Sequence, residues 1–433
     1  MMPHLHLQAF VYAAVLLSNA SAQHVPGYNY DESKIPAYTL LDPLTLANGK
    51  PVTSKVVWWK QRRPEIFHLF EKNAYGVTPA NAKLPLRAKL IETDSHALGG
   101  LAIRKQIDIY FTASGAGGMK MRMLLYLPVH AKGRSPVVLG LNFGGNQTVI
   151  DDPGIQPTKV WTKPKDSPLE QVTPDGKTRG SQTEEWQVEK VLRRGYGLAT
   201  IYYGDIEPDF KDASQYSIRQ LFAPSNAPDA WGAIGAWAFG LSRAIDYLES
   251  DQQVDVRKIA VTGHSRLGKV ADWAAAQDPR IAIVLSTESG KGGQSIQRRG
   301  LGESVLHLEH SFPYWFCPSY AQWADHDQDI PVDGNLLLSL IAPRPVYVAS
   351  ANGDEWSDPR GEFLSAVSAS RVYKLLGHQG LPTDAMPAVD QPIDIPNADV
   401  AYHVRSGKHD VTAFDWDQYL NFLDLHFGKQ VHS

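Results

Sequence analysis

Ser265 stands in "VTGHSRLGKV" (261–270), between a β-branched run and a glycine-lysine pair. A serine hydroxyl is a weak nucleophile until a base lies within hydrogen-bond reach and a carboxylate orients that base. The chain supplies candidates for both. His409 lies in "RSGKHDVTAFDW", and two acids precede it, Glu288 in "STESGKGG" and Asp354 in "ANGDEWSDP". Serine, acid, histidine is one of the chain orders in which such a triad occurs. Either acid can orient His409, and the spacing does not choose between them.

The developing oxyanion of an acyl transfer needs donors as well. The backbone N–H of Arg266, next after the serine, and the Gly-rich "LNFGGN" (141–146) are candidates, and the Arg266 side chain adds a positive charge. Lys269 follows Ser265 by four residues, so on a helix it lies one turn along the same face. The motif departs from G-x-S-x-G, because Leu267 fills the second position after the serine and the glycine comes at Gly268. The plainer alternative is a structural serine in a strand-to-helix turn, with loop carboxylates and a surface-paired arginine.

These residues need elements that bring them together. "KQIDIYF" (105–111) and "MKMRMLLYLP" (119–128) flank "TASGAGG" and read as a hairpin. "SPVVLGLNFGGN" (135–146), "YGLATIYYGD" (196–205), "KIAVTG" (258–263), "IAIVLSTES" (281–289), "PVYVAS" (345–350) and "AYHVR" (401–405) read as buried strands. Helical patterns alternate with them: "WQVEKVLRRG" behind a Ser181/Glu184 capping box, "AWGAIGAWAFGLSRAIDYLES" behind Asp229, "LGKVADWAAAQ", and "TAFDWDQYLNFLDLHFG". The alternation predicts a three-layer αβα sandwich with a mainly parallel central sheet. Ser265, Asp354 and His409 follow strand-like runs and Glu288 ends one, and in such sheets ligands bind at the carboxyl ends of the strands. Residues 151–180 are polar and proline-rich without a period, and are expected to form a surface insertion. His310 and His403 sit in apolar or aromatic contexts and read as core or surface histidines.

Composition narrows the class. At 433 residues, 43% hydrophobic and 20% charged, the chain is globular, and no apolar run is long enough for a bilayer. A net charge of −4 without a Lys/Arg cluster excludes nucleic acid as the expected partner. Eleven tryptophans, 18 tyrosines and 14 phenylalanines suit sugar faces or phenolic rings, although most aromatics are expected in the core. The single cysteine, Cys317, rules out an intramolecular disulfide and a cysteine-rich metal site. An apolar stretch from Ala9 to Leu17 followed by Ala20-Ser21-Ala22 reads as a signal peptide over 1–22, despite an n-region without Lys or Arg. The remainder, 23–433, is expected to be one catalytic domain in a secreted or periplasmic bacterial protein. No interface signal stands out, so a monomer is expected.

"GHSRLGK" (263–269), "ESGKGG" (288–293), "FPYWF" (312–316) and "GKHD" (407–410) together resemble the glucuronoyl esterases, the fifteenth carbohydrate esterase family, over most of the chain from about Val137. The resemblance implies an α/β-hydrolase fold and hydrolysis of (4-O-methyl-)D-glucuronic acid esters, the links between glucuronoxylan and lignin alcohols. It implies Ser265 as nucleophile, His409 as base, Arg266 as oxyanion stabiliser, and Lys269, Glu303 and Trp356 as uronate-binding residues. Both Glu288 and Asp354 match acid positions of the family. His264 stands where fungal members commonly carry cysteine, which points to a bacterial-type member, and 151–180 resembles cleft-deepening insertions. No metal or organic cofactor is implied. Two other readings remain open: an acetyl-xylan or related carbohydrate esterase on the same fold, and a non-catalytic carbohydrate-binding hydrolase scaffold.

Overall fold

The computed structural model describes residues 24–79, 85, 87–112, 118–164, 167–222, 225–393 and 396–428. The expected signal peptide over 1–22 lies outside the described residues. Nine strands form one sheet: β1 (Arg87–His96), β2 (Ala102–Tyr110), β3 (Lys120–Pro128), β4 (Ser135–Asn142), β7 (Gly197–Tyr202), β8 (Val254–His264), β9 (Ile283–Thr287), β10 (Val346–Ala351) and β11 (Val400–Arg405). Their spatial order is β1-β2-β3-β7-β4-β8-β9-β10-β11. The first three run antiparallel to their neighbours, and the six from β7 to β11 are parallel. This is the mainly parallel sheet expected from the alternating pattern.

Side chains along each parallel strand alternate between two cores, as a period of two requires. In β8, Ile259 and Val261 enter one core and Ala260 the other; in β10, Val346 and Val348 oppose Tyr347 and Ala349. The helices Ala233–Ser250, Arg266–Gln277, Gly334–Ile341 and Pro359–Leu375 pack in the larger core, and Val188–Arg193 and Ala413–Phe427 in the smaller. The sandwich therefore has three layers. Among the described residues no helix is long and apolar enough to cross a membrane.

Three local expectations need correction. Ser181 does not cap a helix: the turn Thr183–Trp186 follows Gln182, whose side chain is held by Glu185 and Thr148, and a left-handed Gln187 (φ 44°) separates it from Val188–Arg193. Asp229 does not cap the long helix, which starts at Ala233 behind Gly232. Gly232 is needed there because a Cβ would lie 2.4 Å from the Trp315 carbonyl oxygen. Residues 151–180 are not wholly irregular. They contain a short antiparallel pair, β5 (Val160–Thr162) and β6 (Glu170–Val172), too brief to leave a period in the sequence.

That segment is fastened to the sheet by buried charge. Arg104 of β2 donates from Nη1 to both oxygens of Asp152, at 2.9 and 2.7 Å, and from Nη2 to Glu92 at 3.0 Å. Tyr126 and the Gly154 amide also donate to Asp152. Removing one partner of a buried pair leaves the other charge uncompensated. Arg104→Ala is therefore expected to cost about 3 kcal/mol of unfolding free energy, read as a lower urea midpoint at an unchanged m-value.

Candidate active site

The parallel strands end in two strained residues. Ser265 follows β8 with φ 57° and ψ −128°, and Glu288 follows β9 with φ 49°. Neither is glycine, so each conformation is held by its surroundings. The Ser265 amide donates to the Thr287 carbonyl at 2.9 Å, and the Ser265 carbonyl accepts from Gly268 at 2.9 Å as the helix Arg266–Gln277 begins. A Cβ on Gly263 would lie 2.0 Å from the Leu267 carbonyl oxygen. On Gly268 it would sit 2.9 Å from both Ser286 Oγ and Ser289 Cβ. The two glycines thus permit the sharp turn and the close approach of helix to β9, even though the second is displaced by one position from the usual motif.

His409 follows β11 and reaches the same end of the sheet. Its ring lies 4.5 Å, centre to centre, from that of His264, the residue before Ser265. Its Nδ1 is 2.7 Å from Asp354 Oδ2 and 3.2 Å from Glu288 Oε2. The loops carrying His409 and Asp354 are joined through the backbone: Asn352 donates to the Arg405 carbonyl and Gly353 to the Gly407 carbonyl, both at 2.9 Å. Glu288 has other partners. Arg405 Nη2 lies 3.1 Å from its Oε1, while its Oε2 accepts from the Asp410 amide at 2.9 Å and faces His264 Nε2 at 3.2 Å. His403 is fully buried, between Tyr347 and Asp415, and is a core histidine as expected.

On the other side of the serine, Arg266 is caged. Its Nη1 donates to Asp209 at 2.7 Å, and its guanidinium lies 4.9 Å from the Trp315 ring, 5.4 Å from Phe143 and 5.7 Å from Phe312. Among the described residues its buried Nε has no hydrogen-bond partner. Arg266 is therefore not in the surface ion pair that the plainer reading offered. Lys269, also buried, donates to the Ser289 carbonyl at 2.5 Å and lies 3.9 Å from Glu303. The Glu303 amide donates to the Trp356 carbonyl at 2.9 Å, so Lys269, Glu303 and Trp356 share one locality. Asp209 was not singled out from the sequence; its only signal there is its place in "YYGDIEPDF", just beyond β7.

A half-buried serine on a strand-to-helix turn, with a histidine–carboxylate pair beside it on a mainly parallel sheet, places the protein among the α/β-hydrolases. A family model described as "Glucuronyl esterase, fungi" matches residues 196–377. "Carbohydrate esterase MZ0003", from an unknown prokaryotic organism, is 44% identical over 409 residues, covering 92% of each chain. A 4-O-methyl-glucuronoyl methylesterase of Podospora anserina is 38% identical over 79% of this chain and 61% of its own. Among solved structures, a glucuronoyl esterase from Solibacter usitatus superposes with a TM-score of 0.86 at 46% identity, covering 92% of this chain and all of that one. The chain belongs to the glucuronoyl esterase family.

The two acids differ in their electrostatics. Burial pushes the Glu288 carboxyl well up, and the Asp354 charge adds to that against the pull of His409 and Arg405. Burial also raises Asp354, but His409, Ser357 and His264 outweigh it and hold that carboxyl below its ordinary value. A carboxyl depressed on folding contributes stability above the ordinary carboxylate range and loses it as pH falls through the depressed value. Asp354→Asn should therefore be less stable than the wild-type protein above that range, and the gap in Tm should close in strong acid. A gap independent of pH would show that the Asp354 charge is not what stabilises the fold there.

Proposed function

We propose that the protein hydrolyses esters of (4-O-methyl-)D-glucuronic acid, releasing the uronic acid from its alcohol, and that its natural substrates are the lignin–carbohydrate esters of glucuronoxylan. One observation carries the reading: an imidazole paired with a buried carboxylate sits beside the strained serine turn, next to a buried Lys–Glu pair suited to sugar hydroxyls. Ser265 Oγ attacks the uronate carbonyl while His409 takes its proton. Arg266, whose charge Asp209 fixes in place, stabilises the oxyanion together with backbone N–H groups. Collapse of the tetrahedral intermediate breaks the bond to the alcohol, which leaves with the proton from His409. Water, deprotonated by His409, then cleaves the acyl-enzyme and regenerates the Ser265 hydroxyl.

Lys269 donates to hydroxyls of the uronate, Glu303 accepts from one, and Trp356 packs on the ring. A fatty-acyl substrate would leave these polar groups unpaired, at a cost in affinity. The apolar stretch 9–17 and the Ala20-Ser21-Ala22 pattern support export, and the reading takes the mature enzyme as a monomer that needs neither metal nor organic cofactor for turnover.

Ser265→Ala is expected to lower kcat on a glucuronate benzyl ester by about 10⁶ while leaving the fold intact. Near-normal turnover by that variant would end the proposal, and faster hydrolysis of acetylated xylan than of the glucuronate ester would shift it to the deacetylase reading. The acids should separate by readout. Asp354→Ala should lower kcat by roughly 10²–10⁴, as for the oriented acid of a triad. Glu288→Gln should act chiefly on stability, because that carboxylate is held by Arg405, Asp410 and His264. The reverse pattern would make Glu288 the orienting acid.

A further inference from the structure

His264 has no part in the chemistry just described, yet it is aimed at the centre of the site. Its Nε2 and the Nδ1 of His409 each lie 3.2 Å from the same atom, Glu288 Oε2. The ligand atoms of all three residues fall within 4.8 Å of one another. Zinc binds imidazole nitrogen and carboxylate oxygen at about 2.0–2.2 Å in a tetrahedron whose edges are about 3.3 Å. Two edges of that figure are already present. We propose that His264, Glu288 and His409 form a binding site for Zn²⁺ whose occupancy switches the esterase off.

The surroundings favour a divalent cation. Arg405 bonds Asp415 at 2.9 Å as well as Glu288, so Asp415 matches its charge. The carboxylates of Glu288 and Asp354 then remain to face the cation, and Asp354 Oδ2, 2.7 Å from His409 Nδ1, is available as a fourth ligand. His409 is 39% exposed and gives an entry path, whereas Glu288 is fully buried. Coordination by His264 Nε2 moves that ring's proton to Nδ1, which lies 3.8 Å from Glu185 Oε1. A carboxylate behind a ligating imidazole is the usual support for such a ligand.

The switch follows from tautomers. As base, His409 keeps its proton on Nδ1, toward Asp354, and offers a lone pair at Nε2 to the serine. With zinc on Nδ1, the neutral ring carries its proton on Nε2 and has no lone pair left for the Ser265 hydroxyl. The inhibition rests on His409 acting as the base in the proposed reaction; zinc binding does not.

The two parts are tested separately. Calorimetric titration with ZnCl₂ is expected to give one saturable site in the wild-type protein and in Ser265→Ala. In His264→Ala and in His264→Gln, which keeps a donor toward Glu288, affinity should fall by about tenfold or more. Hydrolysis of the glucuronate benzyl ester by the wild-type enzyme should fall with the same midpoint as binding and return on adding EDTA. Each variant is compared with its own zinc-free rate, and inhibition of the His264 variants should need correspondingly more zinc. Equal zinc affinity in the wild type and both His264 variants would place the metal elsewhere, for instance at His378, Asp399 and His426, and overturn the site. Binding at the site without loss of hydrolysis would overturn the switch. A wild-type enzyme inactive on every glucuronate ester would instead sink the proposed function and leave the binding result standing.

Discussion

The buried carboxylate of Glu288 joins parts of the chain that are distant in sequence. Its two oxygens reach Arg405 at the end of β11, the Asp410 amide beyond it, and His264 at the end of β8, while Glu288 itself ends β9. Arg405 extends the network to Asp415, which accepts from the Thr412 amide and hydroxyl and so caps the helix Ala413–Phe427. A carboxyl group this deep is tolerable only while its polar partners stay in place. The same requirement that keeps the network whole sets His409 beside the serine turn, because Asp410 and Arg405 fix the loop on which His409 sits. Glu288 therefore governs where His409 lies, although Asp354 stands closer to its Nδ1.

A second charge system lies across the serine and is built differently. Asp209 accepts from Arg266 at 2.7 Å, Tyr314 at 2.8 Å, Trp315 at 2.6 Å and Tyr203 at 3.1 Å. Four donors from three stretches of chain hold one carboxylate still, and the carboxylate in turn holds the guanidinium. The rings of Phe143, Phe312 and Trp315 lie against the cation without neutralising it. A cation positioned in this way needs no reorganisation when charge develops on a neighbouring oxygen. Lysine could not take its place, because only a planar guanidinium can bond Asp209 at one nitrogen, stack between rings, and leave Nε unpaired.

Much of this architecture was legible from hydrophobic pattern. Strand runs such as "KIAVTG" and "IAIVLSTES" carry the β-branched signature of strands buried on both faces, and each ended close to where the structure ends it. That His409, Asp354 and Glu288 come together near the Ser265 turn was foreseeable because chemistry limits which residue types pair in this way. What escaped was set by contacts distant in sequence. The helix Pro359–Leu375 was not singled out, since Gly361 and three serines blur its apolar stripe. The edge strand β1 was missed as well; most of its residues are exposed, so it carries no apolar alternation. The false cap at Asp229 has the same origin, because the start of the helix is fixed by how closely Gly232 approaches the Trp315–Phe316 backbone. Asp209 and Arg405 look like ordinary charges until the fold surrounds them.

The segment from Glu288 to Glu303 links the two halves of the site. At one end Glu288 holds the His409 loop, and the next residue offers its carbonyl to Lys269. Further on, Lys291 is fully buried and bonds Asp358 at 3.2 Å, and Arg299 reaches the same Asp358 oxygen at 2.9 Å. Asp358, at φ 57°, caps the helix Pro359–Leu375 through the Gly361 amide and so anchors the loop that carries Asp354 and Trp356. Glu303 closes the circuit by donating its amide to the Trp356 carbonyl. Ser265, Glu288 and Asp358 are non-glycine residues at positive φ, and such strain persists only where surrounding contacts over-determine it. Here the contacts that hold the strain also set where Ser265 lies relative to the Lys269–Glu303 pair. A loosened segment would release Glu288, Lys269 and Asp358 together, so both sides of the Ser265 turn depend on one stretch of chain.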